Sequence, residues 1–333
     1  TAPTLSETTV VPSLTNDNST QYTFSSSEGG TISVGGSCSS DNNTAVADNM
    51  TVSFAALADG TYSNCTITVT DNASNSVTID VNSFTIDTTA PTASVTTANI
   101  TTSGNAVVQS TETGTAYLVN TTVSVSNLAS ITGAADSQWN SVAISSANTN
   151  TNLAATGLVD GTYKVYAVDA AGNLSSASTN SVTLDTTAPT VYSIYPADNQ
   201  NGISISDNIT VTFSEAMEPS YVTTSTSDTY CAGTIRVSSD NFSSCVKMSS
   251  EPASSNSNMT FTLDPYDNLT VSTTYKTIVT TGVRDTAGNA LSSQYVTSSG
   301  FTTTPRVFVA VGNSGKILTS SDGTSWDNRS SGT

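Results

Sequence analysis

The residues of this chain that could do chemistry are its aspartates. Asp87 and Asp185 each begin a copy of the segment Asp-Thr-Thr-Ala-Pro-Thr, at 87–92 and again at 185–190. Further aspartates lie in nearby turn-forming stretches: Asp59, Asp71, Asp160 and Asp169. Carboxylate oxygens held together bind Ca²⁺ at about 2.3–2.6 Å, so these six residues are candidate calcium ligands. An alternative stays open, because an aspartate in a turn also accepts backbone N–H hydrogen bonds.

Other patterns with catalytic associations fail on spacing or composition. The chain has no histidine, so a Ser-His-Asp triad is excluded, and without a Cys-x-x-Cys pair a zinc site is not expected. Gly312 to Lys316 lacks the spacing of a phosphate-binding loop and precedes no helical pattern. Ser244 and Lys247 have the S-x-x-K spacing of acylating enzymes, but no helix or companion motif accompanies them. The sequence therefore predicts that the chain is not an enzyme.

Four of the six aspartates, Asp59, Asp71, Asp160 and Asp169, lie in a stretch of sequence that recurs three times. The copies are LADGTYSNCTITVTDNASNSVT at 57–78, LVDGTYKVYAVDAAGNLSSAST at 158–179 and a weaker one, STTYKTIVTTGVRDTAGNALSS, at 272–293. Each copy places Thr-Tyr at the start of a strand and follows the strand with an Asp-led turn that contains Asn. Asp-Gly at 59–60 and 160–161 is a typical tight-turn pair.

The second copy shows the strand pattern most clearly. Tyr163, Val165 and Ala167 are predicted to face a core, and they alternate with Lys164, Tyr166 and Val168. A period of two residues is typical of a strand with one buried face. The composition agrees, because strand-forming residues are abundant and good helix formers are few. We therefore predict an all-β fold.

The repeated segment Asp-Thr-Thr-Ala-Pro-Thr is interpreted as a joint between domains. Its prolines, Pro91 and Pro189, cannot donate to a sheet and restrict the residue before them to extended geometry. The interval between the copies suits a seven-stranded sandwich. We predict sandwich domains at 1–90, 91–188 and 189–304, arranged as a semi-rigid rod.

The four cysteines fall into two pairs, Cys38 with Cys65 and Cys231 with Cys245. One pair in the first predicted domain and one in the third indicate two disulfides and an oxidising compartment. Closing the loop between Cys38 and Cys65 would stabilise the fold by roughly 3 kcal/mol. Buried free thiols remain the alternative.

The charge of the chain restricts its partners. It carries 26 acidic and 8 basic residues, a net charge of −18, which repels nucleic acid and anionic membranes. No apolar run approaches the roughly 18 residues of a membrane span. The opening Thr-Ala-Pro-Thr repeats the end of the joint segment, so we expect the chain to be a mature fragment or an internal part of a longer protein.

The repeats resemble bacterial immunoglobulin-like domains of large secreted or surface-anchored proteins. The stretch 195–217 is similar to the Ig-like module of surface-layer proteins, and the matching positions are Pro196, Ile209, Val211, Phe213 and Met217. The resemblance covers nearly all of 1–304. It implies tandem sandwiches that act as stalks or adhesive modules, in which acidic residues at the joints often bind calcium.

Residues 305–333 form a different segment. Two short apolar strands, Val307–Val311 and Lys316–Ser320, precede Ser320-Ser-Asp-Gly-Thr-Ser-Trp326. This pattern resembles a β-propeller repeat with an Asp-box turn, with one residue fewer between Asp and Gly. One repeat cannot close a propeller. Either the natural chain continues, or this hairpin segment donates a strand to a neighbouring molecule.

The sequence as a whole predicts a non-catalytic stalk protein of a bacterial cell surface. Its partner would be another protein, by self-association or as a surface receptor, or a glycan. Two alternatives remain: a subunit of an extracellular filament built by strand donation or end-to-end contacts, and an accessory region of a larger secreted propeller-containing enzyme or glycan-binding protein. Calcium is the one cofactor that the sequence suggests.

Overall fold

A computed structural model describes residues 1–227, 230–313, 316–321 and 323–330. Strands make up most of the regular structure, and they form tandem β-sandwiches, so the predicted all-β fold is confirmed. The chain divides into two compact units, Thr1–Leu184 and Asp185–Thr333. The division into four segments at 1–90, 91–188, 189–304 and 305–333 stays a prediction. Among the described residues, no helix is both long and apolar enough to cross a membrane.

The first sandwich precedes the first joint segment. Its strands are β1 (Leu5–Thr9), β2 (Leu14–Thr15), β3 (Gln21–Ser26), β4 (Gly30–Gly35), β5 (Thr44–Ala45), β6 (Asp48–Ser53), β7 (Gly60–Tyr62), β8 (Thr66–Asp71), β9 (Ser76–Asp80) and β10 (Phe84–Ile86). They form the sheets β1-β3-β6, β2-β10-β7 and β5-β4-β8-β9. Alternate side chains of β3 and β8 point inward, so that Tyr22, Phe24, Ile67 and Val69 are fully buried in its core.

The second sandwich lies between the joint segments. Its elements are β11 (Ala93–Val95), β12 (Ala98–Ile100), β13 (Asn105–Ser110), β14 (Gly114–Asn120), the helix α1 (Leu128–Thr132), a 3₁₀ turn (Asp136–Gln138), β15 (Trp139–Ile144), β16 (Thr151–Ala154), β17 (Gly161–Asp169) and β18 (Val182–Leu184). They form the sheets β11-β13-β16 and β12-β18-β17-β14-β15. Tyr163, Val165 and Ala167 of β17 are buried, as the alternation predicts. Val168 is buried as well, and its backbone forms an isolated bridge with Leu174 beyond the turn.

The third sandwich follows the second joint segment. Its elements are β19 (Val191–Tyr195), β20 (Asn201–Ile203), β21 (Ile209–Phe213), a 3₁₀ turn (Pro219–Tyr221), β22 (Ile235–Ser238), β23 (Ala253–Ser255), β24 (Thr260–Leu263), β25 (Thr274–Val279), β26 (Tyr295–Val296) and β27 (Phe301–Thr303). They form the sheets β19-β21-β24-β23 and β20-β27-β25-β22, and β26 pairs with β25. Phe213 and Phe261 meet edge to face across β21 and β24, with ring centroids 6.0 Å apart.

Each sandwich is anchored by the tyrosine of its repeat. Tyr62 Oη donates to the Ala58 carbonyl at 2.9 Å, and Tyr163 Oη donates to the Val159 carbonyl at 2.6 Å. Tyr275 Oη accepts from the Thr270 amide at 2.9 Å. These bonds to backbone a few residues upstream are those of a tyrosine corner, which fixes the chain where it enters a strand. The three residues are therefore structural anchors.

Both predicted disulfides are present. Cys38 and Cys65 are bonded with their Cα atoms 5.3 Å apart, and Cys231 and Cys245 with theirs 4.9 Å apart. The first bond lies in the core of the first sandwich, where both cysteines are buried. A protein that holds two such bonds is typical of an oxidising compartment.

The final strands form a separate sheet. They are β28 (Phe308–Val311), β29 (Lys316–Ser320) and β30 (Asp327–Ser330), in the order β28-β29-β30. The predicted hairpin is thus accompanied by a third strand. Gly315 and Asp322, which belong to the rejected phosphate loop and to the predicted Asp-box turn, lie outside the described residues. The propeller resemblance stays a prediction.

Candidate functional site

The Asp-led turn has one geometry in all three sandwiches. In the second, Asp169 Oδ1 accepts from the Gly172 and Asn173 amides at 2.7 and 2.9 Å, and Oδ2 accepts from Asn173 Nδ2 at 2.8 Å. The carboxylates of Asp71 and Asp285 accept the corresponding bonds from the turns that follow them. All three aspartates are buried. The hydrogen bonds replace the water that burial removes, so the turn holds a charged group inside the protein.

The first acidic triad assembles around one of these turns. Asp87, directly after β10, and Glu112, between β13 and β14, each place a carboxylate oxygen within 4.8 Å of the others and of Asp169. Strand register explains the approach, because Gly114 at the start of β14 lies opposite Asp169 at the end of β17. Burial and the charges of Asp87 and Asp169 raise the pKa of Glu112.

The second triad repeats the first. Asp185, Glu215 and Asp285 lie within the same 4.8 Å limit, and Asp285 is the buried member. Burial, followed by the charges of Asp185 and Asp285, raises the pKa of Glu215 to about 7. A raised pKa means that three carboxylates repel one another in a partly dry place. Any bound cation would relieve that repulsion.

An asparagine ties each turn to the joint segment. Asn173 Nδ2 donates to the backbone carbonyl of Asp87 at 2.8 Å, and Asn289 Nδ2 donates to the carbonyl of Asp185 at 3.0 Å. Because the same amide group also binds the turn aspartate, it links the joint to the turn. The first residue of each Asp-Thr-Thr-Ala-Pro-Thr segment is therefore held through its backbone carbonyl, and its carboxylate lies near two other carboxylates.

The structure places three of the six predicted ligands in the triads and three outside them. Asp87 and Asp169 meet in the first triad and Asp185 belongs to the second, whereas Asp59, Asp71 and Asp160 lie in neither. Asp59 instead accepts from the Thr88 amide and hydroxyl at 3.0 and 2.8 Å, and from the Thr89 hydroxyl at 2.8 Å. These bonds, led by that from the Thr88 side chain, lower the pKa of Asp59.

The two remaining aspartates have local surroundings of their own. Asp71 caps its turn, and the bond from Asn75 is the main cause of its lowered pKa. Asp160 is exposed in the turn before β17. As calcium ligands, the six residues stay a prediction.

Glu112, Glu215 and Asp285 complete the triads, and none of them is among the ligands predicted from the sequence. Their proximity depends on strand register, which a single sequence does not show. For Glu112 the sequence does contain a repeated spacing. Glu112 stands two residues before Gly114, and Glu28 stands two residues before Gly30. Gly30 lies opposite Asp71 in the first sandwich, in the same register.

The donor set of each triad fits a hard divalent cation. Three carboxylates supply only oxygen ligands and up to three negative charges. Ca²⁺ prefers oxygen ligands to nitrogen or sulfur ligands. The residues that would hold the ion are Asp87, Glu112 and Asp169 in one triad, and Asp185, Glu215 and Asp285 in the other.

The S-x-x-K pair has structural contacts. Ser244 Oγ donates to Asp240 Oδ2 at 2.6 Å, and Lys247 Nζ lies 4.4 Å from the centroid of the Tyr266 ring. The side chains of Ser244 and Lys247 are thus each engaged with a different neighbour. This arrangement offers no activated nucleophile.

One region of the chain matches a known protein family. Residues 185–303 match the family model described as a bacterial Ig-like domain. Among curated proteins, no sequence matches the chain significantly.

Solved structures that resemble the chain include three bacterial proteins. They are the N-terminal part of the bacterial S-layer protein SbsC (16% identity, 43% of this chain and 33% of that one, TM-score 0.26), the Escherichia coli adhesin FdeC (10% identity, 90% and 96%, TM-score 0.32) and a 1.5-MDa bacterial ice-binding adhesin (16% identity, 91% and 99%, TM-score 0.25). The chain thus spans about a third of the SbsC structure's length.

Proposed function

We propose that this chain is a non-catalytic structural and adhesive stalk protein of a bacterial cell surface. The observation that carries the proposal is the match of residues 185–303 to a bacterial Ig-like domain. Two disulfides support an extracellular location, since such bonds persist in oxidising compartments. Its partner would be another protein or a glycan.

The location can be tested on intact cells of the source organism. An antibody against the folded chain should label unpermeabilised cells, and brief protease treatment should remove the label. A cytoplasmic protein labelled in the same cells provides the control, because it should stain only after permeabilisation. Labelling of the chain that also requires permeabilisation would contradict the proposal.

The repeated triads favour a second role, calcium-dependent bracing of the joint segments. A cation shared by Asp87, Glu112 and Asp169 would fix the start of residues 87–92 against the second sandwich. The equivalent ion at Asp185, Glu215 and Asp285 would fix the start of 185–190 against the third sandwich. Binding to the folded state alone stabilises it, by about 2.7 kcal/mol when the ligand is at 100 times its Kd.

Isosteric variants test this role. Glu112→Gln and Glu215→Gln remove one charge from each triad and leave the aspartate turns intact. The double variant should lose the rise in melting temperature that CaCl₂ gives the wild type, and the calcium-induced slowing of amide exchange in 87–92 and 185–190. Glu28→Gln is the matched control, because Glu28 holds the equivalent place in the first sandwich, beside a turn that lies in neither triad. Equal responses of the wild type and the double variant would exclude the triads as the calcium site.

A further inference from the structure

We propose that Glu28, Asp71 and Asn75 form a receptor for a joint segment on the first sandwich. The receptor fits the Asp-Thr end of another sandwich of this kind, placed directly before Thr1 in sequence. The inference goes beyond the proposed function, because it assigns a docking surface to the first sandwich. Only the part played by calcium rests on the calcium-dependent bracing proposed for the two triads.

Residues 1–4 lie on the first sandwich as 89–92 and 187–190 lie on the second and third. In each case a threonine carbonyl accepts from the amide of the residue directly after a strand. The pairs, with the carbonyl first, are Thr4 and Ser27 (3.0 Å), Thr92 and Thr111 (3.1 Å), and Thr190 and Ser214 (2.9 Å). The threonine amide in turn donates to the hydroxyl of the same partner, at 2.9, 2.8 and 2.9 Å. The proline before each threonine is buried in all three cases: Pro3, Pro91 and Pro189.

Glu28 and Asp71 hold the positions of two triad members. The glutamate directly follows the partner of the threonine in every sandwich, at Glu28, Glu112 and Glu215. Gly30 lies opposite Asp71 in the register that brings Gly114 opposite Asp169. Thr1 Oγ1 donates to Glu28 Oε1 at 3.4 Å, so the residues joined to Thr1 start beside this carboxylate.

Asn75 supplies the donor that recognises the segment. Its Nδ2 donates to Asp71 Oδ2 at 2.8 Å, as Asn173 Nδ2 does to Asp169 Oδ2. A side-chain amide carries two N–H donors, and Asn173 Nδ2 also donates to the backbone carbonyl of Asp87. Asp87 stands two residues before the threonine equivalent to Thr1. The receptor therefore recognises the carbonyl of the residue two positions before Thr1.

Charge makes an aspartate at that position depend on a cation. Its carboxylate would lie near Glu28 and Asp71, as Asp87 lies near Glu112 and Asp169. Like charges this close repel one another. The carbonyl bond to Asn75 favours docking with or without metal, whereas the third carboxylate favours it only when a divalent cation is shared by the three.

Two extended forms of the full chain separate these contributions. One carries Thr-Ile-Asp-Thr before Thr1, a copy of residues 85–88, and the other carries Thr-Ile-Ala-Thr, which keeps the carbonyl without the carboxylate. In chelator, the Ala form should lower the unfolding equilibrium constant of the first sandwich about fivefold, the ratio given by one net hydrogen bond of about 1 kcal/mol. Hydrogen exchange of peptides from 1–86 measures this gain.

A double-mutant cycle assigns the gain to Asn75. Asn75→Ala should abolish the difference between the extended and unextended chains, and comparison within each background cancels the loss of the bond to Asp71. Asn72→Ala is the matched control, because Asn72 is exposed in the same turn, and it should keep the gain. If Asn75→Ala unfolds the turn, the NMR signals of the Asn75 side-chain amide decide, since they should shift on extension of the otherwise unchanged chain. An Ala form without any gain, a gain that survives Asn75→Ala, or unshifted Asn75 signals would overturn the receptor.

Calcium stoichiometry tests the carboxylate. Measured by equilibrium dialysis with CaCl₂ alone, the Asp form should bind one ion more per chain than the Ala form, and Glu28→Gln should remove that ion. If the unextended chain binds calcium and the Asp form binds no more, the carboxylate part of the receptor is wrong. If no form binds calcium, the bracing role of the triads fails, and the measurements in chelator still decide whether the receptor holds the segment.

Discussion

At the residue scale, the same interaction recurs in all three sandwiches: an aspartate side chain accepts hydrogen bonds from the backbone of the turn that follows it. Asp71, Asp169 and Asp285 each bind the turn that follows, and in two of the three turns the asparagine of the turn reaches on to the joint segment. The sequence predicted Asp71 and Asp169 as turn formers or ligands and Asp285 as a turn former, and the structure shows the turn bonds of all three. The sequence could not predict the asparagine contacts, because they join residues far apart in the chain.

The asparagine contacts lead to a first prediction. Asn173→Ala and Asn289→Ala should each destabilise their sandwich by on the order of 1 kcal/mol, since each removes an amide that donates to the turn aspartate and to the joint carbonyl. Each should also speed amide exchange in the joint segment that it holds, 87–92 or 185–190. Asn75→Ala is the control, because Asn75 Nδ2 donates to Asp71 in the equivalent turn. If all three variants leave joint exchange unchanged, the asparagines do not hold the joints.

Asp240 gives a prediction about pH. Hydrogen bonds, chiefly from the Ser244 side chain, lower its pKa to about 2. Since the folded-state pKa lies below the ordinary value of 3.8, the stabilising contribution is complete above pH 3.8 and is lost as pH falls through about 2. A carboxyl NMR titration should give this midpoint, and Ser244→Ala should move it upward. A wild-type midpoint near 3.8 would contradict the hydrogen-bonded arrangement.

At the element scale, the alternation of apolar and polar residues predicts the strands and their buried faces, but it does not predict which strands pair. The alternation of Tyr163, Val165 and Ala167 was sufficient to predict β17 and its buried face. Glu112 and Glu215 were missed as triad members for another reason. The position of Glu112 depends on the pairing of Gly114 with Asp169, and that of Glu215 on the bridge between Met217 and Asp285. Both pairings are properties of register.

Gly114 marks the close approach that brings the first triad together. A Cβ at this position would lie 2.0 Å from the Val168 carbonyl oxygen, and the backbone φ is +150°. Gly114→Ala should therefore destabilise the second sandwich by about 1–3 kcal/mol, measured by urea unfolding. Gly60→Ala is a matched control, because Gly60 has the same φ with open space around it. Equal losses in the two variants would show that φ alone, and not the contact with β17, requires glycine.

At the scale of the whole molecule, the buried apolar side chains are divided among separate cores. The described residues contain three hydrophobic cores, and each draws its members from one stretch of sequence. The first and third stretches contain a disulfide and the second contains no cysteine. The repeat predicted this arrangement, because each copy supplies the last strands of one core.

This arrangement predicts a selective effect of removing one disulfide. Replacing Cys38 and Cys65 together by alanine should destabilise the first sandwich by about 3 kcal/mol, because the unfolded chain regains the freedom of an open loop. The second sandwich, whose core spans Ala93 to Leu184, should keep its stability, since it shares no core residue with the first. Hydrogen exchange resolved by peptide measures both in one experiment. If protection falls equally in the two sandwiches, they unfold as one cooperative unit, and the joint segment transmits stability as well as connecting the domains.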